Sequence, residues 1–258
     1  MTTPAFIAVI PARYQSSRLP GKMLLDIAGK PMILHVVERV RQSLASAVYV
    51  ATDDERIRRV CAEAGAHVYM TDPAHQSGTD RIAEVAAQLG LASDTCVINV
   101  QGDEPLIPPA VINQVAANLV MRPDVGICTL YADIHDESEF RNPNAVKLVT
   151  DDAGNVLYFS RAPIPWPRDG HVEGTLWGKR HLGIYGYRVN VLQQFVRWPP
   201  SALEKTEKLE QLRAMTQGVR LHAERCCEAI PAGVDTAEDL DLVRQLLSKQ
   251  QSSQRVVV

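Results

Sequence analysis

The sequence is short of the features that mark several functional classes. Its five cysteines (Cys61, Cys96, Cys128, Cys226, Cys227) form no CxxC pair and no Cys/His zinc spacing, and the adjacent Cys226 and Cys227 are badly placed to bridge each other. Reduced thiols in a cytoplasmic protein are the expectation. There is no basic excess: 27 Lys and Arg stand against 30 Asp and Glu, which excludes a general nucleic-acid binder that neutralises phosphates over a broad face. Apolar runs are short. That at Phe6 to Ile10 is smaller than the core of a signal peptide, and none approaches the ~20 residues of a membrane span, so neither export nor membrane insertion is expected. Neither the GxxxxGK[ST] nor the GxGxxG phosphate-binding pattern occurs. What is present, 258 residues of which 46% are hydrophobic, suffices for a full core.

Through the first half, apolar runs at Ala5–Ile10, Val48–Thr52, His67–Met70 and Thr95–Val100 alternate with amphipathic stretches, the βαβ rhythm of a parallel sheet. A helix follows Pro31, with Ile33, Val36, Val37, Val40 and Leu44 on one stripe. From Gly126 the rhythm changes. Strands are expected at Ile127–Ile134, Val146–Thr150 and Val156–Ser160, the last two joined by a turn at Asp152 to Asn155, so this part reads as antiparallel or mixed. A Pro-rich loop from Ala162 to Arg168 precedes a strand at His181–Tyr187 and is expected to be mobile or at an interface. One helix from Ala202 to Gln217, a strand at Val219–Glu224 and a helix opened by Asp235 or Thr236 complete the pattern. We read 1–248 as a single α/β domain with an inserted lobe at about 126–200, and 249–258 as a frayed tail.

Two segments carry candidate chemistry. The first strand runs into Pro11 to Lys22, where Arg13, Arg18 and Lys22 could wrap a triphosphate with help from backbone N–H groups. The alternative is a solvated basic loop. Gln101-Gly102-Asp103-Glu104-Pro105 follows a buried strand, and a carboxylate there suits the oxygen coordination of Mg²⁺; the alternative is a turn in which Gly102 and Asp103 only shape the backbone. A partner carboxylate is available in Asp235, whose competing use is as a helix N-cap.

The stretches IPARYQSSRLPGK, HQSGTDR, NVQGDEP, NPNAVK, YFSRAPIPW, HLGIYGYR, Lys208 to Arg213 and GVDTAEDL resemble the 3-deoxy-manno-octulosonate (Kdo) cytidylyltransferases over residues 6–245. HLGIYGYR with LEQLR separates this branch from the CMP-sialate synthetases. The resemblance implies an α/β fold of the nucleotide-diphospho-sugar transferase type, a mostly parallel Rossmann-like sheet flanked by helices with a smaller mixed or antiparallel lobe. It implies a homodimer that joins CTP to Kdo with Mg²⁺, in the activation step of lipopolysaccharide biosynthesis. Pro11, Ala12, Arg13, Arg18, Lys22, Ser77, Gly78 and Gln101 would bind CTP, with Arg13, Lys22 and Asp103 catalytic. Asp103 and Asp235 would hold the metal; Arg161, His181, Tyr185, Glu210 and Gln211 would hold the sugar acid. From the residues alone, His181 and Tyr185 read first as core aromatics and Glu210 as a solvated helix charge. Ala237 departs from the family's usual Pro, a change an early helical position tolerates. Rival readings are a cytidylyltransferase for 8-amino-Kdo or a sialic acid, and a non-catalytic nucleotide-binding regulator.

Overall fold

A computed structural model describes residues 5–16, 18–231 and 233–255. The first strand, β1 (Phe6–Pro11), is buried throughout, as an apolar run in the middle of a covered sheet must be. Short strands β2 (Asp26–Ile27) and β3 (Lys30–Pro31) form an antiparallel pair and lead into α1 (Met32–Arg41). Met32, Ile33, Val36, Val37 and Val40 face inward, but the helix stops before Leu44, which is exposed and donates its N–H to Asn113. β4 (Ala47–Thr52), α2 (Glu55–Glu63), β5 (His67–Met70) and α3 (Gly78–Gln88) continue the βαβ alternation. Asp54 caps α2, and Ser77 caps α3 through a reciprocal capping box with Asp80.

Next along the chain come β6 (Cys96–Asn99), α4 (Pro109–Val120), β7 (Ile127–Ile134), α5 (Glu137–Arg141), β8 (Lys147–Thr150), β9 (Val156–Ser160) and β10 (Gly178–Arg188). They are followed by α6 (Val189–Phe195), α7 (Ala202–Glu207), α8 (Gln211–Thr216), β11 (Leu221–Arg225) and α9 (Ala237–Arg255). The last helix takes in much of the segment expected as a frayed tail; residues 256–258 lie outside the described residues.

The chain divides into two compact units. The first comprises Met1–Leu91, Asn99–Asn113 and Ile230–Val258, and its strands β1, β4 and β5 pair in parallel in that order. The second comprises Ala92–Ile98 and Gln114–Ala229, wider than the 126–200 segment read as an insert. The extra width has a cause in the pairing: β11 adds in parallel to β7, which draws the segment after residue 200 into this unit. β7 also pairs antiparallel with β10, β10 with β8 and β8 with β9, the mixed arrangement expected.

Two local departures matter for function. The helix expected over 202–217 is broken, because Lys208 turns left-handed (φ 54°) and closes α7 by donating to the Glu204 carbonyl. α8 then folds back, with Arg213 clamped on the Glu204 carboxylate at 2.6 and 2.9 Å. β10 carries an irregularity: Leu182 pairs with Leu130 and Tyr185 with Thr129, so Gly183 and Ile184 are extra residues on that strand.

Candidate active site

In the first unit, the loops that follow β1 and β6 meet in a polar cleft of about 230 Å³. Pro11, Ala12, Arg13, Arg18 and Lys22 line it from the loop after β1, Gln101 and Asp103 from the loop after β6. Ser77 and Gly78 bring the start of α3 to the same cleft, and Asp235 closes it from the segment before α9. The positive end of a helix dipole at such a start favours anionic or acceptor groups. Close backbone approach explains the glycines: a Cβ on Gly102 would lie 2.8 Å from the Pro11 carbonyl oxygen, and one on Gly78 would lie 3.2 Å from the Pro11 ring.

The electrostatic centre is Lys22. Gly21, at φ 68°, turns the chain so that the lysine points inward, where it is 7% exposed. Its ammonium donates to Asp103 Oδ2 at 2.7 Å, to Asp235 Oδ1 at 3.1 Å and to the Val234 carbonyl at 3.0 Å. Arg18 reaches the other Asp235 oxygen at 3.2 Å. The two loops are stitched by the Val234 N–H donating to the Asp103 carbonyl at 2.8 Å. Asp235 is free for this role because Thr236, in a reciprocal exchange with Asp239, does the capping of α9. The all-oxygen pair of carboxylates already converges on a cation, so the donor set fits Mg²⁺, which takes one or two carboxylates and completes its shell with waters and phosphate oxygens. Among the described residues, no group of three or more His, Cys, Asp or Glu forms a closed metal cage.

Beside Asp103, the Glu104 carboxyl is buried and its Oε2 has no hydrogen-bond partner. Burial, and then the neighbouring Asp103 charge, push it up to about 8, so it is mainly protonated at neutral pH.

The second unit carries the residues expected on the sugar side, and it groups only some of them. Tyr185, Glu210 and Gln211 line a small slot of about 40 Å³ with Tyr187 and Phe195. Glu210 is not the fully solvated helix charge that periodicity allowed: the break at Lys208 sets it at the head of α8, only 34% exposed. His181 lies one ring away, 5.2 Å from Tyr185 between centroids, and its Nε2 is 3.0 Å from the Thr129 hydroxyl. Enclosure lowers its pKa to about 3, so the imidazole is neutral. Arg161 stands apart from the slot. Its Nε donates to the Glu207 carbonyl at 2.6 Å and its Nη1 to the Pro143 carbonyl at 2.9 Å, so part of its donor fork is already engaged.

A family profile described as Cytidylyltransferase matches residues 7–224. A protein of Cellvibrio japonicus named 3-deoxy-manno-octulosonate cytidylyltransferase is 54% identical over 250 residues, spanning 94% of this chain and 98% of that one. One of the same name from Pseudomonas syringae pv. tomato is 55% identical over 251 residues, spanning 95% and 99%. The chain belongs to the 3-deoxy-manno-octulosonate cytidylyltransferases. A solved CMP:2-keto-3-deoxy-manno-octonic acid synthetase in complex with CTP superposes with a TM-score of 0.88 at 42% identity, covering 95% of this cytidylyltransferase and 99% of that chain. The fold is shared more widely: 4-diphosphocytidyl-2C-methyl-D-erythritol synthase gives a TM-score of 0.62 at 14% identity, over 94% of this chain and 99% of its own.

Several residues escaped the sequence reading of this cytidylyltransferase. Arg81, 4% exposed, lines the cleft and ties its wall together, bonding Asp53 at 2.6 Å and Thr71 at 2.8 Å. Its place in HQSGTDR was visible, but a buried Arg inside a helix is legible only once its partners are. Thr129 sits in an apolar strand, and its hydroxyl lies within 3.0 Å of both the Leu182 and Ile184 carbonyls, plugging the irregularity in β10. Lys147, in NPNAVK, is fully buried and caps three carbonyls, of Asn142, Ala145 and Arg161, at 2.6–2.9 Å. Glu207 complements it by accepting from the Ser160 hydroxyl and the Arg161 N–H.

Proposed function

We propose that this chain transfers CMP from CTP to the anomeric hydroxyl of Kdo and releases pyrophosphate. The observation that carries the reading is the convergence of Arg18, Lys22, Asp103 and Asp235 in one polar cleft at the strand ends, in a member of this family. Arg13, Arg18 and Lys22 bind the triphosphate and stabilise the charge that builds on it in the transition state; Ser77, Gly78, Gln101 and the backbone at Pro11 and Ala12 take the nucleoside. Asp103 and Asp235 hold Mg²⁺, which when bound supplies Lewis-acid polarisation of phosphate oxygens and acidifies a nearby hydroxyl. His181, Tyr185, Glu210 and Gln211 orient the sugar acid, with Arg161 offering its remaining donors to the carboxylate. The neutral imidazole of His181 serves as a hydrogen-bonding group and not as a cation. The reading extends to a homodimer working in the cytoplasm on the activation step of lipopolysaccharide biosynthesis, which family membership supports.

The test is pyrophosphate release from CTP and Mg²⁺ with Kdo, 8-amino-Kdo or a sialic acid as acceptor. Release with Kdo is expected; absence of release with Kdo refutes the assignment. Asp103→Asn should abolish turnover while CTP binding stays measurable, and surviving turnover would remove Asp103 from the metal site.

A further inference from the structure

Tyr14 lies in the middle of the phosphate loop, yet neither it nor its partner Arg56 lines the cleft. Its carbonyl accepts from the Gly21 N–H at 3.1 Å, which closes residues 14–21 into a loop with Arg18 inside and Arg13 and Lys22 at its neck. The phenol ring reinforces that closure. A Cβ built on Gly21 would meet Tyr14 Oη, Cζ and Cε2 at 3.0–3.2 Å, so the ring rests directly on the glycine's backbone. Over the ring, the Arg56 guanidinium carbon lies 3.3 Å from the centroid. Arg56 is in turn held flat by a two-pronged contact with Asp54, at 3.0 Å through Nε and 2.7 Å through Nη2, and Asp54 is fixed as the N-cap of α2. A guanidinium neutralised by its own carboxylate and lying outside the cleft contributes little direct attraction to a triphosphate. Its effect must be geometric.

We propose that Tyr14 and Arg56 form a latch that preorganises the phosphate loop, α2 serving as the fixed post and the Tyr14 ring as the bolt against Gly21, so that both are positioning residues for CTP. Gly21 at φ 68° is needed by the same device, since a side chain there would strain the backbone and expel the ring. The latch lowers the ordering cost that the loop otherwise meets on binding, so its loss appears in nucleotide affinity. The proposal rests on loop 11–22 being the seat of the triphosphate.

The test is steady-state kinetics of the full chain, varying CTP at saturating Kdo and then Kdo at saturating CTP. Arg56 is exposed, so Arg56→Ala should fold normally; it should raise KM for CTP about two- to fivefold, the range of an exposed cation–π contact, and leave KM for Kdo unchanged. Arg56→Lys should recover part of the loss and Tyr14→Phe nearly all of it, whereas Tyr14→Leu should cost roughly tenfold. A wild-type KM for CTP in both Arg56→Ala and Tyr14→Leu overturns the latch. So does an equal rise in both KM values with a lowered melting temperature, the mark of general packing. Arg13→Ala separates the two claims: if it leaves CTP affinity intact, the phosphate-loop reading fails; if it weakens CTP while the latch variants do not, the latch alone fails.

Discussion

Replacing Glu104 with glutamine should make the protein more stable, and by an amount that depends on pH. The carboxyl is buried, its Oε2 lacks a partner, and its pKa rises from an ordinary 4.5 to about 8. Because the folded-state value is raised, the native protein keeps its proton where the unfolded chain has lost it. The protonated group's contribution is fully present below pH 4.5 and is lost progressively as pH climbs to about 8. At ~1.4 kcal/mol per pH unit, the wild type loses roughly 4 kcal/mol between pH 5 and pH 9 through this group alone. Glu104→Gln has no such proton to lose. Urea denaturation at pH 5, 7 and 9, in EDTA so that no metal contributes, should show the two proteins within about 1 kcal/mol at pH 5 and the variant ahead by several kcal/mol at pH 9. A difference that stays constant from pH 5 to 9 would refute the reasoning, because it would mean that the carboxyl ionises as freely in the folded protein as in the unfolded chain.

The polar cleft beyond β1 should be intolerant of a single methyl group at Gly102. Gly102→Ala meets the Pro11 carbonyl at 2.8 Å and must displace the loop bearing Asp103, so kcat/KM should fall by on the order of tenfold or more at little cost in melting temperature, as measured by pyrophosphate release and thermal denaturation. In the second unit, Lys147→Met should cost about 2–4 kcal/mol in denaturant titrations, since three carbonyls lose their shared donor. The same variant should raise KM for Kdo more than KM for CTP, because one of those carbonyls is that of Arg161.

The first unit was largely legible because its signals are local. Alternating buried strands and amphipathic helices follow from the apolar spacing, and the residues expected on CTP and the metal come together because strand ends at one edge of a parallel sheet must share a crevice. The division of labour between Asp235 and Thr236 was not legible. Either could cap α9, and only the position of Lys22, far away in sequence, shows that the Asp235 carboxylate is engaged elsewhere and leaves the cap to the Thr236 hydroxyl. In the second unit the deciding features are pairings at long range. The extra residues Gly183 and Ile184 in β10 are invisible until β7 fixes the register, and the Thr129 hydroxyl that fills the gap looks like an ordinary strand residue. The resemblance put Arg161 on the sugar acid, but its geometry depends on carbonyls at Pro143 and Glu207 that no periodicity brings near it.

The break at Lys208 shows most plainly how tertiary pairing overrides local preference. Ala202 to Gln217 has the composition of one helix, yet Lys208 sits at φ 54° and ψ 45°, a conformation that costs a side-chain-bearing residue roughly 1 kcal/mol or more. The strain is sustained by what it permits: Arg213 folds back on the Glu204 carboxylate, Leu209 is buried, and Glu210 and Gln211 reach the slot beside Tyr185. Glycine adopts this conformation without the steric cost, so Lys208→Gly should leave the break in place and stabilise the folded state by up to about 1 kcal/mol, less what the freer unfolded chain takes back. Lys208→Pro should do the reverse, since its ring holds φ near −65° and it lacks the N–H that closes α7 on the Glu204 carbonyl. Chemical denaturation of both variants measures the pair. If Lys208→Gly proved as destabilising as Lys208→Pro, the left-handed turn would not be the conformation that this protein populates, and the grouping of Glu210 and Gln211 with Tyr185 would lose its structural basis.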